Sequence, residues 1–296
     1  MIRKRCGMAL AAILLVFSVD WLMMPAPGTA MPLADIVHQL SMHLHRGSWF
    51  RDRCSYFQRI YVERYKDLEE DGSYRDRFVR RLSVAEVSAD DKGEVRARLI
   101  SDTNNDLEPK QVKDSSRVVW GAPAFLELIF FPLYPEKIQY YQITDLGTTM
   151  IQEQEVRILR LDPKRGLKEP LIEGIFYLDP ATGRPRRLQV SRLHNFEELD
   201  KKMKDLEDFE ADITYRTLPN DVTVPYQVFA EGDSRVIRHK GFFKIRFEEW
   251  GYRPSPFYPD VNSWFEKLKD FQEEPHDDPP PDFMEEKIKV TDIKEN

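Results

Sequence analysis

The sequence predicts an α+β domain built mainly from antiparallel strands with a few helices. Three observations carry that expectation. After one opening helical segment, apolar residues recur at every second position, in runs rich in aromatic and β-branched side chains. Turn residues, above all Asp and Gly, separate these runs at hairpin spacing. Strands and helices nowhere alternate as βαβ units would require.

Leu33, Ile36, Val37, Leu40 and Leu44 recur at three and four, with Pro32 near the first turn and Gly47 just past the end, so an amphipathic helix is expected over 33–45. The period then changes to two. Strands are expected over 55–65, 74–83 and 94–101, and the Asp- and Gly-bearing turns at 69–73 and 90–93 join them into a meander. Residues 102–117 are polar and read as a loop. In the apolar stretch 118–134, only Glu127 is charged between Ala124 and Phe131; Pro123 can start a helix there, and Pro132 with Pro135 ends it. A two-turn helix apolar on every side must be covered all round, by core or by a ligand cavity.

Further strands are expected over 138–144, 155–161, 171–178 and 186–192. The last two are joined by Asp179-Pro180-Ala181-Thr182-Gly183, where Pro180 presets φ and Gly183 accepts a positive one. Ile172, Gly174, Phe176 and Leu178 then share one face. Phe196, Leu199, Met203 and Leu206 suggest a small helix, with a charged hairpin tip as the alternative. Strands over 209–217, 222–230 and 241–250 close the series. In the last, Phe243, Ile245 and Phe247 alternate with Lys244, Arg246 and Glu248, one face buried and one wet. Pro225 places its strand at an edge or beside a bulge. A short helix is expected over 261–271.

Residues 1–30 read as a cleaved signal peptide. Arg3, Lys4 and Arg5 precede an apolar run at 8–19, shorter than the roughly 20 residues of a membrane span, and Gly28-Thr29-Ala30 precedes the cleavage point. Cys6 lies before that run and is not placed for lipidation. An exported, periplasmic protein with no integral membrane span after cleavage is expected. Export removes three of 44 basic and one of 51 acidic residues, leaving a net charge of minus nine. Residues 254–296 hold twelve acidic and five basic residues and seven of the twenty prolines, which reads as an acidic Pro-rich tail on a domain over 31–253. This balance excludes nucleic acid, whose binding rests on Lys and Arg. Cys54 stands alone in 31–296, so no internal disulfide forms there; it reads as a buried apolar side chain.

No serine-hydrolase elbow, phosphate-cradling glycine loop, paired-histidine zinc helix or paired-cysteine site occurs, so no local motif indicates a catalytic centre or a cofactor, and the function must be read from the architecture. An enzyme would need a buried ionisable pair brought together from distant residues. His38, His43 and His45 do not make a metal set: on a helix, positions 43 and 45 point about 200° apart. Glu69, Glu70 and Asp71 read as a charged turn, and Arg184, Arg186 and Arg187 as a solvated face.

The run Glu173-Gly174-Ile175-Phe176-Tyr177-Leu178-Asp179-Pro180-Ala181-Thr182-Gly183-Arg184-Pro185-Arg186-Arg187-Leu188 resembles a recurrent hairpin of the outer-membrane lipoprotein-sorting family, which includes lipoprotein carriers and periplasmic sigma-factor regulators. With the order helix, meander, buried short helix, further strands, the likeness covers about residues 31–252. Residues 201–208 and the tail look like additions. The resemblance implies a curved half-barrel sheet wrapped over a few helices, non-enzymatic, with an apolar cavity for lipid or lipoprotein acyl chains. It makes Phe176, Phe243, Ile245 and Phe247 candidates for the cavity wall, and Phe125, Leu128, Ile129, Phe130 and Phe131 for the helix or lid that fills it. Each also fits an ordinary core position. The alternative is an envelope protein-interaction scaffold or sensor with a filled cavity and a tail that engages a partner.

Overall fold

The computed structural model describes residues 31–68, 74–104, 123–151, 153–199, 206–236, 239–269 and 271. Outside the described residues lie the expected signal peptide, the Glu69–Asp71 turn, most of the polar loop after 104, residues 200–205 and most of the acidic tail.

Helix α1 spans Leu33–Arg51 and buries Ile36, Val37, Leu40 and Leu44 along one face, as their spacing requires. It continues past the expected end at His45 and straight through Gly47. That glycine is no helix stop: α1 crosses the sheet so closely there that a Cβ would collide with the Thr223 carbonyl oxygen.

The strands are β1 (Cys54–Leu68), β2 (Tyr74–Ala89), β3 (Val95–Asn104), β4 (Tyr141–Ile151), β5 (Gln154–Pro163), β6 (Leu171–Leu178), β7 (Pro185–His194), β8 (Leu206–Thr217), β9 (Thr223–Val236) and β10 (His239–Pro254). Helix α2, Pro123–Phe130, stands between β3 and β4. All strand pairs are antiparallel, in the single order β3-β2-β1-β10-β9-β8-β7-β6-β5-β4. The sheet is open rather than closed into a barrel, and it packs over α1, which meets β1, β7 and β9, and α2, which meets β6. This is the mainly antiparallel half-barrel that the sequence predicts. Two meanders are welded by β1 against β10, so β3 and β4 occupy opposite edges. In the chain, α2 stands between these two edge strands.

The β6–β7 hairpin follows its sequence closely. The Asp179 carboxylate accepts hydrogen bonds from the Ala181 and Thr182 N–H groups at 3.1 and 3.0 Å and from the Thr182 hydroxyl at 2.9 Å, and Gly183 has φ +69°. A side chain at 183 would also press on Gln39 of α1, so this turn docks the hairpin on the helix. Pro225 sits in an interior strand, facing the register shift at Thr214/Tyr215, so the bulge and not the edge accommodates it.

Two expectations are corrected. Phe196, Leu199 and Leu206 do not share a helix: Phe196–Glu198 is a single 3-10 turn begun by Asn195 at φ 53°, and Leu206 already belongs to β8, opposite Ser234. Nor is the second face of β10 wet. Glu248 is 3% exposed, and its carboxylate is held by Arg59 at 2.8 Å, Arg246 at 2.7 Å and Gln227 at 3.0 Å, so charges on that face are matched across strands instead of hydrated.

The stretch expected as a short helix over 261–271 forms helical turns over 259–268. Val261, Phe265 and Leu268 pack with Phe50, Leu218, Val222 and Tyr252, and Trp264 lies 5.0 Å from Trp49. No helix among the described residues is long and apolar enough to cross a membrane.

Candidate functional site

Helix α2 is the element that fills the hollow of the sheet. Pro123 opens it, where a missing N–H costs nothing, and the Phe131 N–H still donates to the Glu127 carbonyl at 3.0 Å before Pro132 stops it. Phe125, Leu126, Leu128, Ile129 and Phe130 are all at most 3% exposed. The Phe125 ring meets Phe209 of β8 edge-on at 5.6 Å, and Phe130 lies 5.3 Å from Phe247 of β10.

Of the residues predicted to line or fill a cavity, Phe125, Leu128, Ile129, Phe130, Phe131, Phe176, Ile245 and Phe247 are buried to 3% exposure or less, and Phe243 is half-buried. The fold does bring α2 against the inner face at Phe247. Together these side chains pack as core.

Three polar contacts fasten α2. The Tyr215 hydroxyl donates to the Phe130 carbonyl at 2.6 Å, capping an otherwise orphan helix-end acceptor. Ser48 Oγ of α1 donates to Glu127 Oε1 at 2.6 Å, and the Tyr134 hydroxyl donates to Ser48 Oγ at 2.9 Å. Burial, reinforced by the Asp52 charge, pushes the Glu127 carboxyl up to about 7.

A cavity of about 460 Å³ opens beside the first turn of α2. Its walls are Arg51, Asp52, Arg53 and Tyr56 at the α1–β1 junction, Ala89, Gly93 and Val95 around the β2–β3 turn, Ala124, Leu126 and Glu127 of α2, and Tyr258. None of the nine residues predicted as cavity wall or lid lines it. Sequence reasoning missed this site, although one signal was present: Glu127 is the single charge in an apolar helix. Arg51-Asp52-Arg53 reads as an ordinary charged helix end.

The charges around the cavity are unevenly answered. Arg51 is 7% exposed and donates to Glu249, itself fully buried, from Nε at 3.0 Å and Nη2 at 2.7 Å; the Tyr252 hydroxyl adds a bond to the same carboxylate at 2.9 Å. Arg53 stacks 4.4 Å over Trp49 and lies 3.6 Å from Asp260. Deeper on the same sheet face, Gln58 is completely buried, and neither of its amide atoms has a hydrogen-bond partner among the described residues. Burial pushes the Cys54 thiol up, away from its reactive form. The expected solvated arginines are paired: Arg184 with Asp221, Arg186 with Asp179 at 2.6 Å, and Arg187 with Asp212.

No family model and no curated protein matches this sequence. Solved structures do. A LolA superfamily protein from Nitrosomonas europaea is 9% identical, covers 74% of this chain and 95% of its own, and has a TM-score of 0.33. An outer-membrane lipoprotein-sorting protein domain from Vibrio parahaemolyticus is 13% identical, with 77% and 97% covered and a TM-score of 0.31. The Pseudomonas aeruginosa MucA/MucB complex matches at 13% identity, 73% and 99% coverage and a TM-score of 0.22. The Vibrio protein carries the name of the family that the 173–188 hairpin resembles.

Proposed function

We propose that this chain is an exported, non-enzymatic binding protein that takes the acyl chain of a lipid or lipidated polypeptide into the hollow of its half-barrel, with α2 as the plug that the guest displaces. One observation carries the reading: a helix whose only charged residue is Glu127 lies buried against the inner face of the sheet, in the chain between the two edge strands. The exchange is close to balanced in energy. Exposing the five large apolar side chains of α2 costs on the order of 10 kcal/mol at roughly 1.5–3 kcal/mol each. A sixteen-carbon chain returns about 12 kcal/mol at roughly 0.8 kcal/mol per CH₂ before association costs. A plug held by so little net energy yields to a hydrocarbon guest and closes again without one. The unsatisfied amide of Gln58 gives a polar group of such a guest a place to bond inside the hollow.

Native mass spectrometry of the protein purified from an envelope extract tests this. Copurified lipid, released by delipidation and restored by a fatty acid, is the expected result. An empty spectrum with no uptake of a fluorescent acyl probe moves the reading to the interaction scaffold, which the closely packed core favours. The scaffold has its own test. Truncation must begin after Phe271, because Val261, Phe265 and Leu268 belong to the core; a carrier keeps lipid binding without residues 272–296, whereas a tail-dependent sensor loses its partner.

A further inference from the structure

We propose that Gln58 is a specificity-determining residue of the hollow and selects a hydrocarbon chain joined to its carrier through a secondary amide. The inference rests on the carrier reading above and names the class of guest. Gln58 lies on β1 between Tyr56 and Ile60, which face the same side of the sheet, and it pairs with Ala85 of β2 and Glu249 of β10. It is 0% exposed. Ala85 has no polar side-chain atom to offer, and the Glu249 carboxylate is already bonded by Arg51 at 2.7 Å and Tyr252 at 2.9 Å. Nε2 and Oε1 of Gln58 are both left without a hydrogen-bond partner among the described residues. A side chain kept only for packing has no use for an amide there: Met fills a similar volume, and a buried donor and acceptor without partners are costly.

The end of α2 stands over this part of the sheet. Phe130 lies 5.3 Å from Phe247, which pairs with Ile60, and 5.5 Å from the Arg51 guanidinium bound to Glu249. A guest that displaces α2 therefore reaches Gln58 where the helix had covered it. The two orphan atoms define what that guest must carry, because Gln58 offers a donor and an acceptor side by side. A secondary amide answers both: its carbonyl accepts from Nε2 and its N–H donates to Oε1. An ester has no N–H and leaves Oε1 unanswered, and a bare hydrocarbon leaves both. A carboxylate answers only Nε2 and brings a second negative charge beside Glu249.

The test is competition of N-methyldecanamide, methyl decanoate and dodecane against a fluorescent acyl probe, on the full chain as parent, Gln58→Met and Gln58→Leu. The three competitors are equal in chain length and differ only in the group that Gln58 would meet. In the variants the ratio of amide to hydrocarbon affinity should fall at least tenfold, and that of ester to hydrocarbon by less. Urea midpoints of the variants should lie at or above that of the parent, since the amide has no bonds to lose. If one replacement side chain fits badly, the other carries the comparison; lower midpoints in both show an amide already bonded in the empty protein and overturn the proposal. Uptake of none of the three by the parent overturns the carrier reading and this one with it. Uptake of all three with the same ratios in parent and variants overturns this one alone.

Discussion

Replacing Glu127 by Gln isolates one titration and fixes its sign. Burial, with the Asp52 charge, raises the folded carboxyl from its ordinary 4.5 to about 7, against the lowering effect of the Ser48 hydrogen bond, Arg51 and Lys137. Between those two values the folded chain holds a proton that the unfolded chain has lost, so the contribution of Glu127 is fully present below pH 4.5 and disappears as pH rises through 7. A shift of roughly 2.5 units at 1.36 kcal/mol per unit gives about 3 kcal/mol, and about 2 after allowing for the water-facing side of the group. Asp52 and Glu210 are raised as well and add to the same slope, whereas His43, lowered mainly by burial, opposes it at acid pH. Only the difference between parent and variant is therefore diagnostic. Urea unfolding at pH 5, 6, 7 and 8.5 should show the parent losing about 2–3 kcal/mol relative to Glu127→Gln across that window. Parallel curves for the two proteins would refute the assignment of a buried, largely neutral carboxyl to α2.

Other substitutions test the fastenings described above. Glu249→Gln strands the Arg51 guanidinium in the core and should cost about 3–5 kcal/mol in urea unfolding, while Arg51→Met with Glu249→Leu recovers most of it. Tyr215→Phe deletes the donor to the Phe130 carbonyl and should lower stability by about 1–3 kcal/mol while increasing uptake of an acyl probe, read by fluorescence titration. Gly183→Ala forces a side chain into a left-handed conformation against Gln39, and thermal unfolding should register a loss above about 1 kcal/mol. In a Cys6→Ser background, Cys54, 1% exposed, should resist a thiol reagent until urea unfolds the chain.

The strands were legible because their causes are local. The β6–β7 hairpin is written in Asp179, Thr182 and Gly183 themselves, and α2 in the two prolines that bracket an apolar run. Misreadings arose where the cause is remote in sequence. Gly47 resembles a helix stop, but its reason is the Thr223 carbonyl, which no local pattern reveals. Leu206 fits a helical spacing from Phe196, but pairing with Ser234 decides its state. Glu248 alternates like a solvent-facing residue and is buried because Arg59 and Arg246 converge on it. The cavity was invisible for the same reason: its walls come from the α1–β1 junction, the β2–β3 turn, α2 and Tyr258, and only the assembled sheet places Asp52 near Glu127.

The seam between β1 and β10 also sets a timetable for the chain. Cys54 pairs with Pro254 and Lys66 with Gly241, contacts closed only after nearly the whole polypeptide has emerged. Bringing such distant segments together is slow, because loop-closure entropy is lost before any pairing repays it. Until β10 arrives, the first meander has one long unpaired side and no complete core to settle on. A polypeptide arranged in this way stays incompletely paired until its last strand arrives and gains its final stability late.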